Sequence, residues 1–236
     1  MTVCMNSTGP ADRSLAEERL NYDVAALADD EAPEDPFVLF HAWLEAARAD
    51  DAIPEPTAMT LTTIRTGPDG SVRPRARVVL CKDATAEGLT FYTNRESGKG
   101  EEIAANPRVA LTFWWQPHHR QVHIEGWAEA VSDATSDAYF AVRPRGSQIG
   151  AHASRQSRPI GSRAELEQAD AAASARFADG DVPRPVYWGG YLVTPETFEF
   201  WQGRPNRLHD RFRYTRVGAA EQRTDAGAWA RVRLQP

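Results

Sequence analysis

The feature that most constrains the fold of this chain is a series of five segments in which apolar and polar residues alternate. These segments are rich in β-branched residues, and they cover residues 59–66, 72–83, 89–94, 108–116 and 120–132. In the last segment Val122 and Ile124 flank the polar His123, so one face of that strand is buried and the other is polar. The turn sequence GPDG joins the first two segments and favours a hairpin. The alternation therefore predicts five strands that pair antiparallel.

Helical spacing and further strands complete the predicted architecture. Phe37, Phe40 and Leu44 recur at helical spacing after Pro36, which predicts a helix with one buried face. Further helices are expected at about 97–105, 133–142 and 162–178, and further strands at 188–201, 207–216 and 229–236. Short strands at close spacing, with helices inserted between them, predict a mainly β protein: an antiparallel barrel with flanking helices.

The first 35 residues differ from the rest of the chain. Residues 1–35 hold nine carboxylates against two basic residues and show little apolar periodicity. This composition predicts a mostly flexible acidic N-terminal arm. Residues 36–236 are then expected to form one barrel domain, since a chain of 236 residues is within the range of a single large β domain.

Composition excludes several classes of function. The formal net charge of −6 argues against a nucleic-acid partner, which requires a strongly basic face. No segment approaches the ~20 apolar residues of a membrane helix, and the N-terminus lacks the pattern of a secretory signal. Cys4 and Cys81 are far apart, which predicts neither a disulfide framework nor a metal site and favours a cytoplasmic location.

Clusters of arginine stand out in so acidic a chain. Residues 202–214, QGRPNRLHDRFRY, carry four arginines and one histidine. If this stretch is a strand, one of its faces carries Arg207, His209, Arg211 and Arg213. Four like charges in a row repel one another. Such a face is therefore either fully solvated or offset by a bound anion.

Three other segments carry groups that bind anions. The strand RARVVLCK has Arg77 near its middle and Lys82 at its end, which suits either two bound anions or two solvated charges. The segment Ser97-Gly98-Lys99-Gly100 stands at a predicted helix start, where it is either a phosphate cradle or a simple N-cap. In residues 139–157, arginines on both sides of a proline form either a preshaped anion site or ordinary surface.

Common catalytic motifs are absent. The chain has no GxSxG, HExxH or GxGxxG sequence, which removes the usual hydrolase, zinc-protease and dinucleotide-binding interpretations. His118 and His119 sit in a probable turn without a carboxylate or cysteine at metal-ligand spacing, so no metal is expected.

The motifs named above, taken in order, resemble those of the pyridoxamine 5′-phosphate oxidase family. The resemblance runs from about residue 19 to the C-terminus and rests on the segments RVVLCK, FYTN, RQV, RPRGSQIGA, SRQS, WGG, EFWQG and RLHDRFRY. It implies an FMN-binding split β-barrel that forms a homodimer, with flavin mononucleotide (FMN) bound in two clefts at the subunit interface. Together the segments are highly specific, although each alone is weak.

The resemblance also assigns roles to individual residues. It implies FMN contacts from Arg77, Val78, Val79, Leu80, Lys82, Tyr92, Thr93, Lys99, Gln121, Gln156, Ser157, Trp201 and Arg211. The substrate phosphate is expected on Lys82, Tyr139, Arg143 and Ser147. Arg207 and His209 are expected to lie over the reacting carbon as the catalytic pair, and Arg19 and Tyr22 match an arm that folds over the substrate.

The activity implied is oxidation of pyridoxamine 5′-phosphate and pyridoxine 5′-phosphate to pyridoxal 5′-phosphate, with O₂ as acceptor and H₂O₂ as by-product. The two phosphorylated ligands agree with the separate clusters of cations. Two alternatives remain at this stage: a related flavin oxidase of phenazine-type biosynthesis, and a split-barrel protein that binds flavin or pyridoxal phosphate without catalysis. Lys82 and the RPRGSQIG segment favour a phosphorylated substrate over a phenazine.

One position departs from the family pattern. Members often have a basic residue directly before the lysine of the flavin loop, whereas this chain has Gly98 before Lys99. The sequence therefore offers one cation fewer for the flavin phosphate, and a lower flavin affinity is expected.

Overall fold

The computed structural model describes residues 21–218 and 229–236 of the chain. Its helices are α1 (Pro36–Arg48), α2 (Gly98–Ala105), α3 (Asp133–Ala141), α4 (Arg145–Ala153) and α5 (Arg163–Arg176). Its strands are β1 (Ala58–Thr66), β2 (Val72–Leu80), β3 (Asp83–Thr85), β4 (Gly88–Asn94), β5 (Arg108–Trp115), β6 (Arg120–Ala130), β7 (Trp188–Gln202), β8 (Asp210–Arg216) and β9 (Trp229–Leu234). Single 3₁₀ turns lie at Gln116–His118 and Pro205–Arg207.

The nine strands form one antiparallel sheet that branches at β7. The main path runs β2-β1-β5-β6-β7-β4-β3, while β8 pairs with β7 and β9 with β8. The long strand β7 pairs with β4 through its first half and with β8 through its second half. A bulge between Glu125 and Gly126 shifts the register of β6 on β7, and a Cβ at Gly126 would meet the carbonyl oxygen of Thr194 at 2.2 Å. The predicted antiparallel split-barrel fold is confirmed. The branch at β7 and the bulge in β6 let the single sheet curve around its apolar core.

Helix α1 covers the apolar side of the barrel. It begins where the sequence predicts, because the Asp35 carboxylate accepts a hydrogen bond from the N–H of Phe37 and Pro36 occupies the first turn. Phe40 is fully buried, and its ring lies 5.2 Å from that of Phe113 in β5. A second, smaller apolar cluster, which includes Phe140 and Trp188, lies under α3, α4 and α5. Val79, packed against the first cluster, and Tyr92, packed against the second, both line the cleft described below.

Three boundaries differ from the sequence prediction. The strand expected over 207–216 begins only at Asp210, because the preceding residues form a 3₁₀ turn with Asn206 and Arg207 at φ values of 57° and 65°. The segment expected as one strand over 72–83 ends at Leu80 and resumes as the short β3. Residues 145–153, treated as a loop, form helix α4.

The N-terminal arm is described from residue 21 onward. Residues 21–35 contain neither helix nor strand, yet Leu27 and Ala32 are buried. The N–H of Leu27 donates to the Asp210 carboxylate at the start of β8, and Arg233 of β9 reaches Asp29. This part of the arm therefore packs on the β8–β9 end of the sheet. The predicted boundary at residue 35 and the flexibility of the arm stay predictions, and Arg19 lies outside the described residues.

Across the described ranges, no helix is both long enough and apolar enough to cross a lipid bilayer.

Candidate active site

A cleft of about 1010 Å³ opens between the edge strand β2, strand β4 and helices α2 and α4. Its size is at the upper end of ordinary ligand pockets and suits a cofactor together with a small substrate. Many of the residues predicted for the flavin and the substrate line it: Arg77, Val78, Val79, Leu80, Lys82, Tyr92, Thr93, Lys99, Tyr139, Arg143, Gln156 and Ser157. The fold thus brings together side chains from five separate segments of the chain.

Lys99 forms the polar corner of this cleft. Its side chain is 9% exposed, and its ammonium group donates to Thr93 Oγ1 (3.0 Å), Ser97 Oγ (3.1 Å) and Gln156 Oε1 (2.7 Å). Burial, with a smaller contribution from the charge of Arg77, lowers the pKa of Lys99 to about 8, although the Glu102 carboxylate opposes this. A protonated lysine held this way favours an incoming anion.

The start of α2 argues against the simple N-cap alternative for Ser97. The residue occupies the N-cap position, but its hydroxyl makes no capping hydrogen bond. The hydroxyl instead donates to the carbonyl oxygen of Asn94 at 2.7 Å while it accepts from Lys99. Ser97 therefore orients the lysine and leaves the helix N-terminus without a side-chain cap, which is the arrangement that suits an anion.

Arg77 is fixed by a buried carboxylate behind the cleft. Its guanidinium donates to Glu102 Oε2 (2.8 Å) and to Thr63 Oγ1 (2.6 Å). Glu102 is 6% exposed and Thr63 is fully buried, so the arginine is held in one position. Because Glu102 compensates its charge, Arg77 contributes directed N–H groups more than net charge.

Aromatic rings line the other end of the cleft. Tyr92 stacks on Tyr139 with ring centroids 4.0 Å apart, and Trp188 lies parallel to Tyr92 at 5.5 Å. The Arg143 guanidinium sits 4.5 Å above the Trp188 ring. Nη1 of Arg143 is buried and has no hydrogen-bond partner among the described residues. A buried guanidinium nitrogen without a partner, inside a cleft, is a feature that suits a bound anion.

Sequence reasoning missed Trp188 and Arg158, which also line the cleft. The sequence did carry a signal for Trp188, because it opens the WGG segment on which the family resemblance partly rests. Arg158 directly follows the SRQS segment and gave no signal of its own.

Helix α4 carries Ser147 next to the cleft without placing it in the wall. Ser147 is exposed, and within the described protomer it does not line the cleft. Gly150 and Ala151, three and four residues later on the same helical face, do line it.

A second cluster of predicted site residues lies at the β6–β7 end of the barrel. Tyr22 packs against His119 at 4.5 Å and against Trp201 at 5.8 Å, and Trp201 packs against His209 at 4.4 Å. Gln121 pairs with Trp201 across the two strands. Within the described protomer, none of the predicted residues in this part of the barrel lines the cleft: Tyr22, Gln121, Trp201, Arg207, His209 and Arg211.

His209 has a defined tautomer in this cluster. The backbone N–H of Arg204 donates to His209 Nδ1 at 3.1 Å, so Nδ1 is an acceptor and the proton of the neutral ring is on Nε2. Burial lowers the pKa of His209 below its ordinary value, and the charges of Arg207 and Arg211 lower it further. The imidazole is therefore neutral at pH 7 and presents a donor at Nε2.

The prediction that four basic groups share one strand face is wrong. Arg207 and His209 precede β8, where the positive φ of Arg207 turns the chain. Arg211 and Arg213 do lie on β8, and both donate to Glu199 of β7, at 2.6 Å and 3.0 Å for the closest contacts. Burial opposes ionisation of Glu199, but the hydrogen bonds from the two arginines outweigh it and lower its pKa. The positive charge of Arg211 and Arg213 is thus compensated by the Glu199 carboxylate of the protein itself.

The adjacent histidines have structural contacts. His118 Nε2 lies 2.9 Å from an Asp50 carboxylate oxygen, and His119 packs on Tyr22. Within residues 21–218 and 229–236, no three His, Cys, Asp or Glu side chains are grouped so that they could hold a metal ion.

Cys81 is buried, which raises the pKa of its thiol to about 11, so it behaves as a small apolar residue.

Comparison with known proteins gives matches along almost the whole chain. Residues 46–175 match the family model described as pyridoxamine 5′-phosphate oxidase, and residues 188–236 match the pyridoxine 5′-phosphate oxidase C-terminal dimerisation region. The pyridoxine/pyridoxamine 5′-phosphate oxidase of Rubrobacter xylanophilus is 53% identical over 227 residues, which are 96% of this chain and 98% of that protein. The Bordetella petrii protein of the same name is 50% identical over 223 residues, 94% of this chain and 100% of that protein.

Solved structures show the same architecture. PhzG from Burkholderia lata 383, in complex with tetrahydrophenazine-1-carboxylic acid, superposes with a TM-score of 0.79 at 29% identity and covers 92% of this chain and 100% of that one. A pyridoxamine 5′-phosphate oxidase-related FMN binding protein from Nostoc punctiforme superposes with a TM-score of 0.64 at 17% identity, covering 83% of this chain and 96% of that one. The second likeness shows the fold alone.

Proposed function

The chain belongs to the pyridoxamine 5′-phosphate oxidase family, and from that membership we propose that it oxidises pyridoxamine 5′-phosphate and pyridoxine 5′-phosphate to pyridoxal 5′-phosphate. Molecular oxygen takes up the electrons and becomes H₂O₂, and the amine substrate also releases NH₃. The observation that carries this function is the 50–53% identity to two proteins named pyridoxine/pyridoxamine 5′-phosphate oxidase, over 94–96% of this chain. The same chain is 29% identical to PhzG, which makes a phenazine-type substrate the weaker alternative.

FMN is the cofactor in this proposal, and the cleft fits it. The buried Lys99 and Thr93 and the exposed Gln156 form a polar corner beside the uncapped start of α2, which suits a phosphate group. At Gly98 the backbone is open to the cleft, since a Cβ there would meet only Ser157, at 3.7 Å. When bound, FMN supplies the two-electron acceptor for the substrate carbon.

The substrate phosphate belongs at the aromatic end. Lys82, Tyr139 and Arg143 line this end, and the buried Nη1 of Arg143 awaits a partner. Cation–π contact with Trp188 keeps the guanidinium plane in place before the substrate arrives. Ser147, one turn before the lining residues of α4, extends the same phosphate site. Two ends that suit phosphate groups in one cleft support a flavin and a phosphorylated pyridine bound side by side.

A homodimer completes the site. The edge strand β2 of the cleft is exposed along most of its length, with Val72 64% and Val78 67% exposed. Trp201, Arg207, His209 and Arg211 fall within residues 188–236, the segment that matches a dimerisation region. We expect the partner subunit to bring this second cluster against the cleft, so that each site draws on both chains. The predicted FMN contacts of Gln121, Trp201 and Arg211 depend on that arrangement.

Arg207 and His209 orient the substrate in this arrangement. Neutral His209 presents the Nε2 proton and its Nδ1 is engaged by Arg204, so it acts as a hydrogen-bond donor and not as a base. Arg207 is permanently charged and serves the same orienting purpose. Tyr22 already packs on His209, at 5.8 Å between ring centroids, and the proposed lid role follows from that contact. Arg19 keeps its assigned role in the same lid as a prediction.

The test is direct. The purified protein should carry the yellow absorbance of a flavin, at two per dimer, and should form equimolar aldehyde and H₂O₂ when pyridoxamine 5′-phosphate is added in air. A preparation that binds FMN yet forms no peroxide with either B6 substrate would identify the non-catalytic alternative. Oxidation of a reduced phenazine-1-carboxylic acid in preference to the B6 phosphates would identify the other.

A further inference from the structure

We infer that Arg158 supplies the second cation for the flavin phosphate, in compensation for the glycine at position 98. This inference rests on the proposed function, because it concerns the phosphate end of the same cleft. Arg158 and Gly98 both line that cleft. The two positions are close in space, since the side chain of Ser157, which precedes Arg158, lies 3.7 Å from the Cβ position of residue 98.

The backbone directs Arg158 toward the start of α2. Ser157 has a φ of 70°, in the left-handed region that a serine rarely adopts, and this turns the chain after Gln156. The N–H of Arg158 then closes a turn on the carbonyl oxygen of Arg155. As a result the Arg158 guanidinium reaches the carbonyl oxygen of Glu96 at 3.2 Å, one residue before Ser97.

Arg77 and Lys99, the other cations near the start of α2, cannot by themselves neutralise a phosphate dianion. Arg77 is compensated by the buried Glu102, as described above. Lys99 brings at most one charge, and its three donors already contact Thr93, Ser97 and Gln156. A phosphate monoester carries close to two negative charges at neutral pH. One cation is therefore missing from the corner, and Arg158 is a lining arginine whose guanidinium reaches the residue before Ser97.

Arg158 is free to take a new partner. Its side chain is 52% exposed, and its described contacts, with Glu96 and with the Glu101 carboxylate, both run through Nη2. Glu101 is itself 54% exposed, so the ion pair between them is weak and exchangeable. A phosphate dianion offers a guanidinium two oxygens in a bidentate geometry, which is stronger than a surface carboxylate pair. We therefore expect the phosphate to displace Glu101 from Arg158.

This exchange makes Glu101 a competitor of the flavin phosphate. Glu101 also lines the cleft, so its charge repels the phosphate unless Arg158 compensates it. If the ion pair between Arg158 and Glu101 were merely structural, removing either partner would loosen α2 to the same extent. FMN affinity would then fall equally in both variants. The two partners thus distinguish ligand binding from structural support.

The experiment compares the affinities of the flavin-depleted protein for FMN and for riboflavin, which lacks the phosphate, by quenching of flavin fluorescence. Arg158→Ala should weaken FMN about tenfold and leave riboflavin unchanged, since a charge-assisted contact at a half-exposed site is lost. Glu101→Gln should leave FMN affinity equal or tighter. Arg163→Ala is the matched control, because Arg163 forms an exposed i,i+4 pair with Glu167 on α5. Gly98→Arg added to Arg158→Ala should restore FMN affinity.

Three outcomes would overturn the inference alone: equal loss of FMN and riboflavin in Arg158→Ala, a loss in Glu101→Gln as large as that in Arg158→Ala, or unchanged FMN affinity in Arg158→Ala. Each of these leaves the proposed function standing, because the unaltered protein still binds FMN. An unaltered protein that binds neither flavin would remove both.

Discussion

The ammonium nitrogen of Lys99 lies 2.7 Å from the side-chain oxygen of Gln156, so the start of α2 and the loop after α4 meet at one buried cation. Two segments more than fifty residues apart in sequence are thereby joined at a polar corner of the cleft. Burial of this cation is unfavourable, and the Glu102 carboxylate offsets that cost only in part. The corner is therefore poised to gain from a bound phosphate, and that gain depends on pH.

FMN affinity should fall as the pH rises through about 8. The pKa of Lys99 is lowered to about 8 in the folded chain, so its charge is lost there and not near its ordinary value of 10.5. Phosphate favours the charged lysine, and binding above pH 8 must take up a proton, which weakens affinity by up to about tenfold per pH unit. Titrations between pH 7 and 9.5 measure this slope. Riboflavin should show no such slope, and Lys99→Met should abolish it for FMN; an equal slope in that variant would contradict the assignment.

The two arginines on either side of Pro144 should behave differently. Arg143→Ala should raise the KM for pyridoxamine 5′-phosphate about 10- to 100-fold with a smaller effect on kcat, because a charged contact to the substrate phosphate is lost. Arg145 is the matched control, since it donates to the carbonyl oxygens of Phe177 and Gly180 near the end of α5. Arg145→Ala should lower the Tm slightly and leave KM unchanged. Steady-state kinetics of both variants make the comparison, and equal rises in KM would contradict it.

The sequence predicted the elements whose determinants are local. The period-two alternation located the barrel strands, and Asp35 with Pro36 located the start of α1, because these signals act within a few residues. Residues such as Lys99, Gln156 and Arg143 were assigned by family resemblance, and the structure brings these side chains into one cleft.

Long-range pairing and special backbone conformations could not be predicted in the same way. Nothing near Arg211 in sequence indicates that Glu199, twelve residues earlier, would compensate it across two strands. The left-handed conformations of Asn206 and Arg207 interrupt a stretch whose composition suits a strand. Both features depend on how β7 and β8 pack, which no local sequence signal reveals.

Glu199 should matter more for stability than the other paired carboxylate of β7. Glu199→Gln removes the carboxylate charge that compensates Arg211 and Arg213, which should lower the free energy of unfolding by roughly 1–3 kcal/mol. Thermal unfolding at fixed protein concentration measures the loss. Glu196→Gln is the control, because its ion pair with Arg108 is solvent-exposed and contributes little.

The effect of Glu199 should also vanish in acid. Its pKa is lowered in the folded chain, so its stabilising charge is present above its ordinary pKa and is lost as the pH falls through the lowered value. The difference in stability between the unaltered protein and Glu199→Gln should therefore be constant near neutral pH and shrink below about pH 4.5. A difference that stays constant into acid would mean that the carboxylate charge is not what stabilises the pair.

Substitutions at His209 should show whether this residue acts as a hydrogen-bond donor or as a general base. Because Nδ1 accepts from Arg204, the Nε2 proton is the group that would face the substrate in the proposed dimer, and a glutamine amide placed there can still donate. His209→Gln should therefore retain more kcat/KM than His209→Leu, in which we expect a loss of about 10- to 100-fold. The pH–rate profile of the unaltered protein should show no loss of activity between pH 8 and 7, because a pKa lowered from its ordinary value of 6.5 keeps His209 mostly neutral over that range. Equal losses in both variants, with an acid limb near pH 6.5, would instead assign His209 as the base.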